Sequence, residues 1–299
     1  MSELDVVERA VLITMAELGL GSCARHMKNA TILDEVSARH GISPSYAWQA
    51  LVYVSRPWMV NVPLVDFLGN NGTPSNPPAE PRYTESRLTP FGELLATAAL
   101  EGSHSLPVRL INGTLYVGGD HPPFSALSVI ETLRAAAIGI VDRTRLITHL
   151  GLPTLPSGCA VDADWPRFWA GESVQAILES SIVRTRDRII IEGFPPSVGA
   201  ESVVEQIKGL LRRGDGPWTA RGVMNTSIGP QERVEVLIVG DAGTKELVAS
   251  LRTMWPLRIE ATIQIPMPIE GIIEETINGL GLDRERVLDE LMLAVESTR

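Results

Sequence analysis

Residues 28–55 read KNATILDEVSARHGISPSYAWQALVYVS. From Thr31 the apolar positions Ile32, Leu33 and Val36 share one side of a helix that runs to Ala38-Arg39-His40-Gly41. A glycine there can take the left-handed conformation that closes a helix. Ser43 then caps a second helix with Pro44 at its first position, where the missing N–H of proline leaves no bond unmade. That helix, Pro44 to Ser55, groups Ala47, Ala50, Leu51 and Val54 on one face and leaves Ser45, Tyr46, Trp48 and Gln49 more available. Helix, short glycine turn and helix make a helix-turn-helix pattern.

Upstream, Ser2 followed by Asp5 marks a helix start, and Val6, Val7, Ala10, Val11, Ile13, Met15 and Leu18 supply a broad apolar face that ends at Gly19. Downstream, Met59 to Val65 reads as extended, with the turn residues Gly69, Asn70, Asn71, Gly72 and Pro74 behind it. Three helices and then a wing predict a winged-helix domain. Thr89-Pro90 opens a further helix, residues 107–119 (PVRLINGTLYVGG) read as strand, turn and strand, and Pro122-Pro123 precedes a helix around residues 125–139. From Ser181 onward, strand, helix, strand, helix and strand alternate through Met267, which predicts one sheet covered on one face. Two short helices follow from Ile269, the second with Val287, Leu288, Leu291, Met292 and Val295 on one stripe. The expected class is α+β, divided at 1–106, 107–268 and 269–299.

The 299 residues are 44% hydrophobic, ample for a buried core. Cys23 and Cys159 are far apart, the amino terminus is acidic and periodic, and no apolar run approaches the roughly 20 residues that span a bilayer. A soluble, cytoplasmic protein with no membrane partner is the expectation. The net charge of −10 weighs against nonspecific nucleic-acid binding, which Lys and Arg drive by neutralising phosphates. Between Ser22 and Trp58, however, Arg25, Lys28, Arg39 and Arg56 outnumber Asp34 and Glu35, so a DNA surface belongs near the amino terminus. Paired-cysteine metal spacing and a phosphate-cradling glycine loop are missing, and His26, His40, His104, His121 and His149 are scattered.

Residues 63–88, PLVDFLGNNGTPSNPPAEPRYTESRL, place Tyr83 in a Gly/Asn/Pro-rich loop between Arg82 and Arg87. Phenols ionise near about 10, so a nucleophilic tyrosine needs cations or a metal to favour its phenolate and to hold phosphate oxygens. Arg82 and Arg87 offer such cations. On spacing alone the plainer reading is a solvated tyrosine on a polar loop.

Order changes that balance. Segments 6–20 (VVERAVLITMAELGL), 28–41 (KNATILDEVSARHG), 49–58 (QALVYVSRPW), 63–95 with its Arg-Tyr-Thr-Glu run, 106–133 and 186–211 occur in the same sequence as their counterparts in the A subunits of DNA gyrase and topoisomerase IV. The chain therefore resembles the breakage-reunion region of a type IIA topoisomerase, with a winged-helix and a tower-like domain. The resemblance implies that Tyr83 attacks a DNA phosphodiester to form a 5′-phosphotyrosyl link, and that Arg82 stabilises the pentacovalent phosphate. It implies DNA contacts from Arg9, Lys28, Arg39 and His40. It also implies an apolar wedge at Leu115 that parts base pairs and bends the duplex. Mg²⁺ would come from a B-type partner, which would also hydrolyse ATP. A homodimer through the winged-helix domain is implied, aided by the stripe Val287, Leu291 and Val295.

Departures from the family pattern are specific. Glu8-Arg9-Ala10 stands where the family has Gln-Arg-Arg, Thr31 replaces an arginine, and residues 39–45 (RHGISPS) replace a turn with two histidines, leaving His40 as a remnant. The turn between Val117 and Pro122 is shorter, and the helices after Ile269 are expected to stand in place of a coiled-coil gate and a wrapping domain. Two other readings compete with DNA cleavage. One is a noncatalytic paralogue that binds gyrase, DNA or a gyrase inhibitor for regulation or self-protection; the other is a winged-helix transcription regulator, disfavoured by the lack of Arg and Lys on the exposed face of the second helix.

Overall fold

Asp5 caps the first helix: its carboxylate accepts from the Val7 N–H while the Glu8 carboxylate accepts from the Asp5 N–H, a reciprocal capping box. The computed structural model describes residues 4–102, 105–113, 121–139, 142–213, 216, 220–229, 231–240 and 243–298, so Ser2 lies outside the described residues. In chain order come α1 (Val6–Glu17), β1 (Met27–Lys28), α2 (Asn29–His40), α3 (Pro44–Ser55), β2 (Val65–Leu68), a 3-10 turn (Pro81–Tyr83), β3 (Glu85–Leu88), α4 (Pro90–Glu101), α5 (Val108–Asn112), α6 (Ala126–Ala137) and α7 (Arg143–Leu150). They are followed by β4 (Ala160–Ala163), α8 (Trp165–Trp169), β5 (Val174–Glu179), β6 (Ser181–Arg184), β7 (Arg188–Glu192), α9 (Ala200–Arg213), β8 (Ala220–Asn225), β9 (Arg233–Ile238), α10 (Thr244–Thr253), β10 (Arg258–Ile263), α11 (Ile269–Gly279) and α12 (Arg284–Thr298).

The turn between α2 and α3 forms as its residues dictate. Gly41 takes φ +66°, Ser43 caps α3 and Pro44 is its first residue. α1, α2 and α3 pack on one another, and the short antiparallel sheet β1-β3-β2 closes their open side. Val11, Leu12, Met15, Ile32, Val36, Leu51, Leu64, Leu88 and Phe91 form the centre of this core. The same cluster continues through α6 and the last two helices to Val295. Trp48 is half-buried against the Phe67 ring, 6.0 Å between centroids, so the outer face of α3 narrows to Ser45, Tyr46 and Gln49.

Four expectations need correction. Met59 to Val65 is not a strand: Val60, Val62 and Leu64 are buried alternately, but Leu64 N–H bonds to Val54 of α3 and Val62 N–H to the Asn112 side chain. The ladder begins only at Val65. Residues 108–112 are the helix α5, held by the Asn112 amide on both backbone groups of Val62 and by the Asn61 amide on Ile111 O and Phe124 O. The segment 114–120, including Leu115, lies outside the described residues. Strands after Ser181 make two sheets, not one: β6-β7-β9-β8 is antiparallel throughout, whereas β10 leaves it to pair with β5 beside β4. α9 and α10 supply the core of the four-stranded sheet through Val203, Ile207, Leu247 and Leu251. The stripe expected to assist a dimer, Val287, Leu291 and Val295, is buried inside the chain, where α12 packs on α4 and α6. Phe91 N–H reaches Thr298 Oγ1 at the end of that contact. Among the described residues no helix is long and apolar enough to cross a membrane.

Gly92 on α4 lies directly against the Leu64 carbonyl, leaving no room for a side chain. Replacing Gly92 by Ala drives a methyl group into backbone oxygen, so Gly92→Ala should lose about 3 kcal/mol in urea unfolding, with the slope unchanged.

Candidate active site

The loop between β2 and β3 is built from turns that each carry a local reason. Gly69 leaves β2 at φ +117° and passes over Thr84; Asn70 Oδ1 accepts from Gly72 N–H, and Thr73 and Asn76 bridge each other. Pro81, with φ preset, starts the 3-10 turn that Tyr83 N–H closes on Glu80 O at 2.9 Å. The next residue, Thr84, is fully buried, while Tyr83 faces outward at 63% exposure.

Thr84 is fastened to the first residue of α2. Asn29 N–H donates to Thr84 O at 3.0 Å and Asn29 Nδ2 donates to Thr84 Oγ1 at 2.8 Å, both residues being fully buried. One helix start and the tyrosine turn thus share two hydrogen bonds. The guanidinium carbon of Arg82 sits 4.7 Å from the centroid of the Tyr83 ring, a cation–π arrangement, and Arg82 Nη2 is 2.8 Å from Glu80 Oε2. The Tyr83 hydroxyl has no hydrogen-bond partner among the described residues and is open to an incoming group.

Of the other residues singled out by sequence, Lys28 is brought near. β1 pairs with β3 so that Lys28 faces Glu85, two residues past Tyr83, and Nζ lies 2.7 Å from Glu85 Oε1 with half of the side chain exposed. Arg39 is held by Glu17 at 2.6 Å and Glu35 at 3.0 Å, and the hydrogen bond to Glu17, then that to Glu35, push its pKa further up. His40 contacts Thr14 of α1 through Nε2, at 3.1 Å. Arg9 reaches Ala99 O at the far end of α4. Arg87 does not serve Tyr83 as a free cation: it donates to Asp66 Oδ2 and to Ala24 O.

A polar group that sequence reasoning passed over lies on the same sheet. His26 Nε2 is 3.1 Å from the Asp66 oxygen that Arg87 also holds at 2.8 Å. Its sequence signal was the register of VDFL against ESRL, which sets Asp66 opposite Arg87. Cys159 is a poor candidate nucleophile, because burial pushes its thiol up to about 12. Among the described residues no group of three or more His, Cys, Asp or Glu could hold a metal ion.

Residues 4–101 match the protein family described as the A subunit of DNA gyrase/topoisomerase IV. The chain is 28% identical to the A subunit of DNA topoisomerase 4 from Pseudomonas aeruginosa over 252 residues, 73% of this chain and 33% of that protein. It is 32% identical to the corresponding protein of Haemophilus influenzae over 233 residues, 68% of this chain and 31% of the other. The A subunit of DNA gyrase from Mycolicibacterium smegmatis is 28% identical over 239 residues, 79% of this chain and 27% of that protein. The chain spans about a third of the length of the topoisomerase 4 relatives it matches.

Removing the Thr84 hydroxyl isolates its role, because valine keeps the volume and leaves Asn29 Nδ2 buried without an acceptor. Thr84→Val should cost about 1–3 kcal/mol in denaturant unfolding and accelerate amide exchange at residues 81–84 ahead of the helices.

Proposed function

We propose, from the match of residues 4–101 to the family of gyrase and topoisomerase IV A subunits, that this chain is an A-subunit-like DNA-binding protein that cleaves and reseals DNA through Tyr83. The observation that carries the reading is the exposed phenol on a pinned turn with a guanidinium against its ring. In this reading α1 to β3 is the winged-helix element and the sheets beyond α7 are the tower-like part.

Chemically, the Tyr83 Oη–phosphorus bond forms as the bond from phosphorus to the DNA 3′-oxygen breaks. The phenolic proton leaves to solvent or a base, and the 3′-oxygen gains one. The product is a 5′-phosphotyrosyl link and a free 3′-hydroxyl, and the reverse attack restores the duplex with no outside activation. Arg82, once its exposed pair with Glu80 opens, donates to the phosphate oxygens; such a surface pair contributes little to stability, so the exchange is easy. Lys28 is placed to hold a neighbouring phosphate on similar terms. The described residues do not fit an Mg²⁺ site, so no step is assigned to a metal on this chain. Mg²⁺ and ATP belong, in this proposal, to a B-type partner, and the cleavage of both strands to a homodimer of winged-helix elements in the cytoplasm.

One observation favours the noncatalytic reading. Arg82, Lys28 and Arg39 are each paired with a carboxylate of the same chain, which lowers the positive potential offered to DNA.

Mixing the protein with nicked DNA, a B-type partner and Mg²⁺, and stopping with detergent, separates the two. A covalent adduct should form, vanish in Tyr83→Phe, and fall about a hundredfold in rate in Arg82→Ala. If DNA is bound but no adduct forms under any partner or metal condition, cleavage is refuted and the binding role stands.

A further inference from the structure

Glu80 precedes the 3-10 turn Pro81–Tyr83, at the position from which a side chain can cap a helix, yet its carboxylate makes no capping hydrogen bond. It reaches past Pro81 instead, so that Oε2 lies 2.8 Å from Arg82 Nη2, and it forms no other ion pair among the described residues. The backbone fixes this approach from both sides. Ala79 N–H donates to Asn70 O at 2.9 Å, Glu80 O accepts from Tyr83 N–H at 2.9 Å, and proline holds φ at the residue between Glu80 and Arg82. Only the two side chains remain to be ordered, so less entropy opposes this pair than one formed between independent loops.

The same guanidinium lies 4.7 Å from the centroid of the Tyr83 ring, so carboxylate, guanidinium and phenol meet on one exposed turn. An arginine fork offers a carboxylate the donors that it would offer a phosphate. Neither neighbouring cation substitutes for it: Arg87 donates to Asp66 and to Ala24 O, and Lys28 faces Glu85.

We infer that Glu80 is an autoinhibitory carboxylate of the tyrosine turn: it occupies Arg82 as a phosphate would and must leave before a DNA phosphate binds there. The inference rests on the proposed DNA-binding role and concerns binding, not cleavage. Exposure bounds its size. A pair open to solvent is weak and screened by salt, so releasing Arg82 changes DNA affinity severalfold and does so at low ionic strength.

The test is the affinity of the full chain for a short fluorescein-labelled duplex, read by anisotropy, with every variant carrying Tyr83→Phe so that the ring is kept and no covalent link forms. Glu80→Gln should bind about fivefold more tightly at low salt, and the gain should shrink as salt is raised. With Arg82→Ala also present, Glu80→Gln should change affinity by less than about twofold, because no guanidinium is left to release. Glu274→Gln removes the same charge from an exposed position on α11, which packs on α6 and α7, and should leave affinity near that of the parent. No gain from Glu80→Gln, a gain undiminished with Arg82→Ala, or an equal gain from Glu274→Gln would overturn the inference. Absence of DNA binding in every variant would overturn it together with the role on which it rests. A chain that binds DNA with these differences and yet yields no detergent-trapped adduct upholds the inference and refutes cleavage alone.

Discussion

Everything the tyrosine turn does depends on a buried amide. Asn29 is the first residue of α2, where a helix has N–H groups to place, and it sits where β1 ends. Its side chain and backbone both donate to Thr84, so the start of the helix and the end of the 3-10 turn are satisfied by each other. The consequence is positional. With Thr84 locked inward, Tyr83 can only face outward, and β3 leaves the turn in register with both β1 and β2. A side chain on a loop is ordinarily placed imprecisely; here the two hydrogen bonds and two strand pairings tie the Tyr83 turn to the rigid part of the fold.

Electrostatics around the turn is conservative. Arg82 with Glu80, Lys28 with Glu85, Arg39 with Glu17 and Glu35, and Arg87 with Asp66 each join a cation to a carboxylate of the same chain. The most exposed of these, Arg82 with Glu80, is of a kind that stabilises by about 0–1 kcal/mol, so an anion can displace its carboxylate at small cost, whereas the part-buried Arg87 is held by Ala24 O as well. The displaced acid remains nearby, however, and the net charge of −10 repels a polyanion at long range. The two effects act in opposite senses with salt: screening weakens each phosphate contact and also removes the repulsion. In the proposed DNA-binding role, affinity would therefore vary less steeply with ionic strength than for a basic protein with as many contacts.

What was legible in the sequence was local. Gly41 closing α2, Ser43 and Pro44 opening α3, and Thr89 with Pro90 opening α4 each rest on a residue whose own backbone preference decides the outcome. Arg82 and Tyr83 stand adjacent in sequence and stack in space, so they too were visible. The rest was decided by distant partners. Val108 to Asn112 has strand-forming residues but is helical because Asn61, Val62 and Asn112 exchange hydrogen bonds across fifty residues. β10 left the expected sheet because its partner is β5, some eighty residues upstream. His26 looked solitary for the same reason: Asp66 and Arg87 reach it only after β2 and β3 are paired.

The loop that ends in Tyr83 is held at its other side by a different kind of contact. Ser75 Oγ donates to Glu232 Oε1 at 2.6 Å, and Glu232 Oε2 accepts from the first N–H of α9, so one carboxylate joins the loop to the sheet core. Gly199 lies tight against Ser75, where a side chain would have no space. No buried apolar residue from 69–80 joins the sheet's hydrophobic cluster, so the junction rests on hydrogen bonds and not on packing. Hydrogen-bonded junctions can be exchanged for water or ligand with little net change in free energy, whereas apolar ones cannot. The fixed end of the loop is therefore at Thr84, beside Tyr83, and the more readily exchanged end is at Ser75.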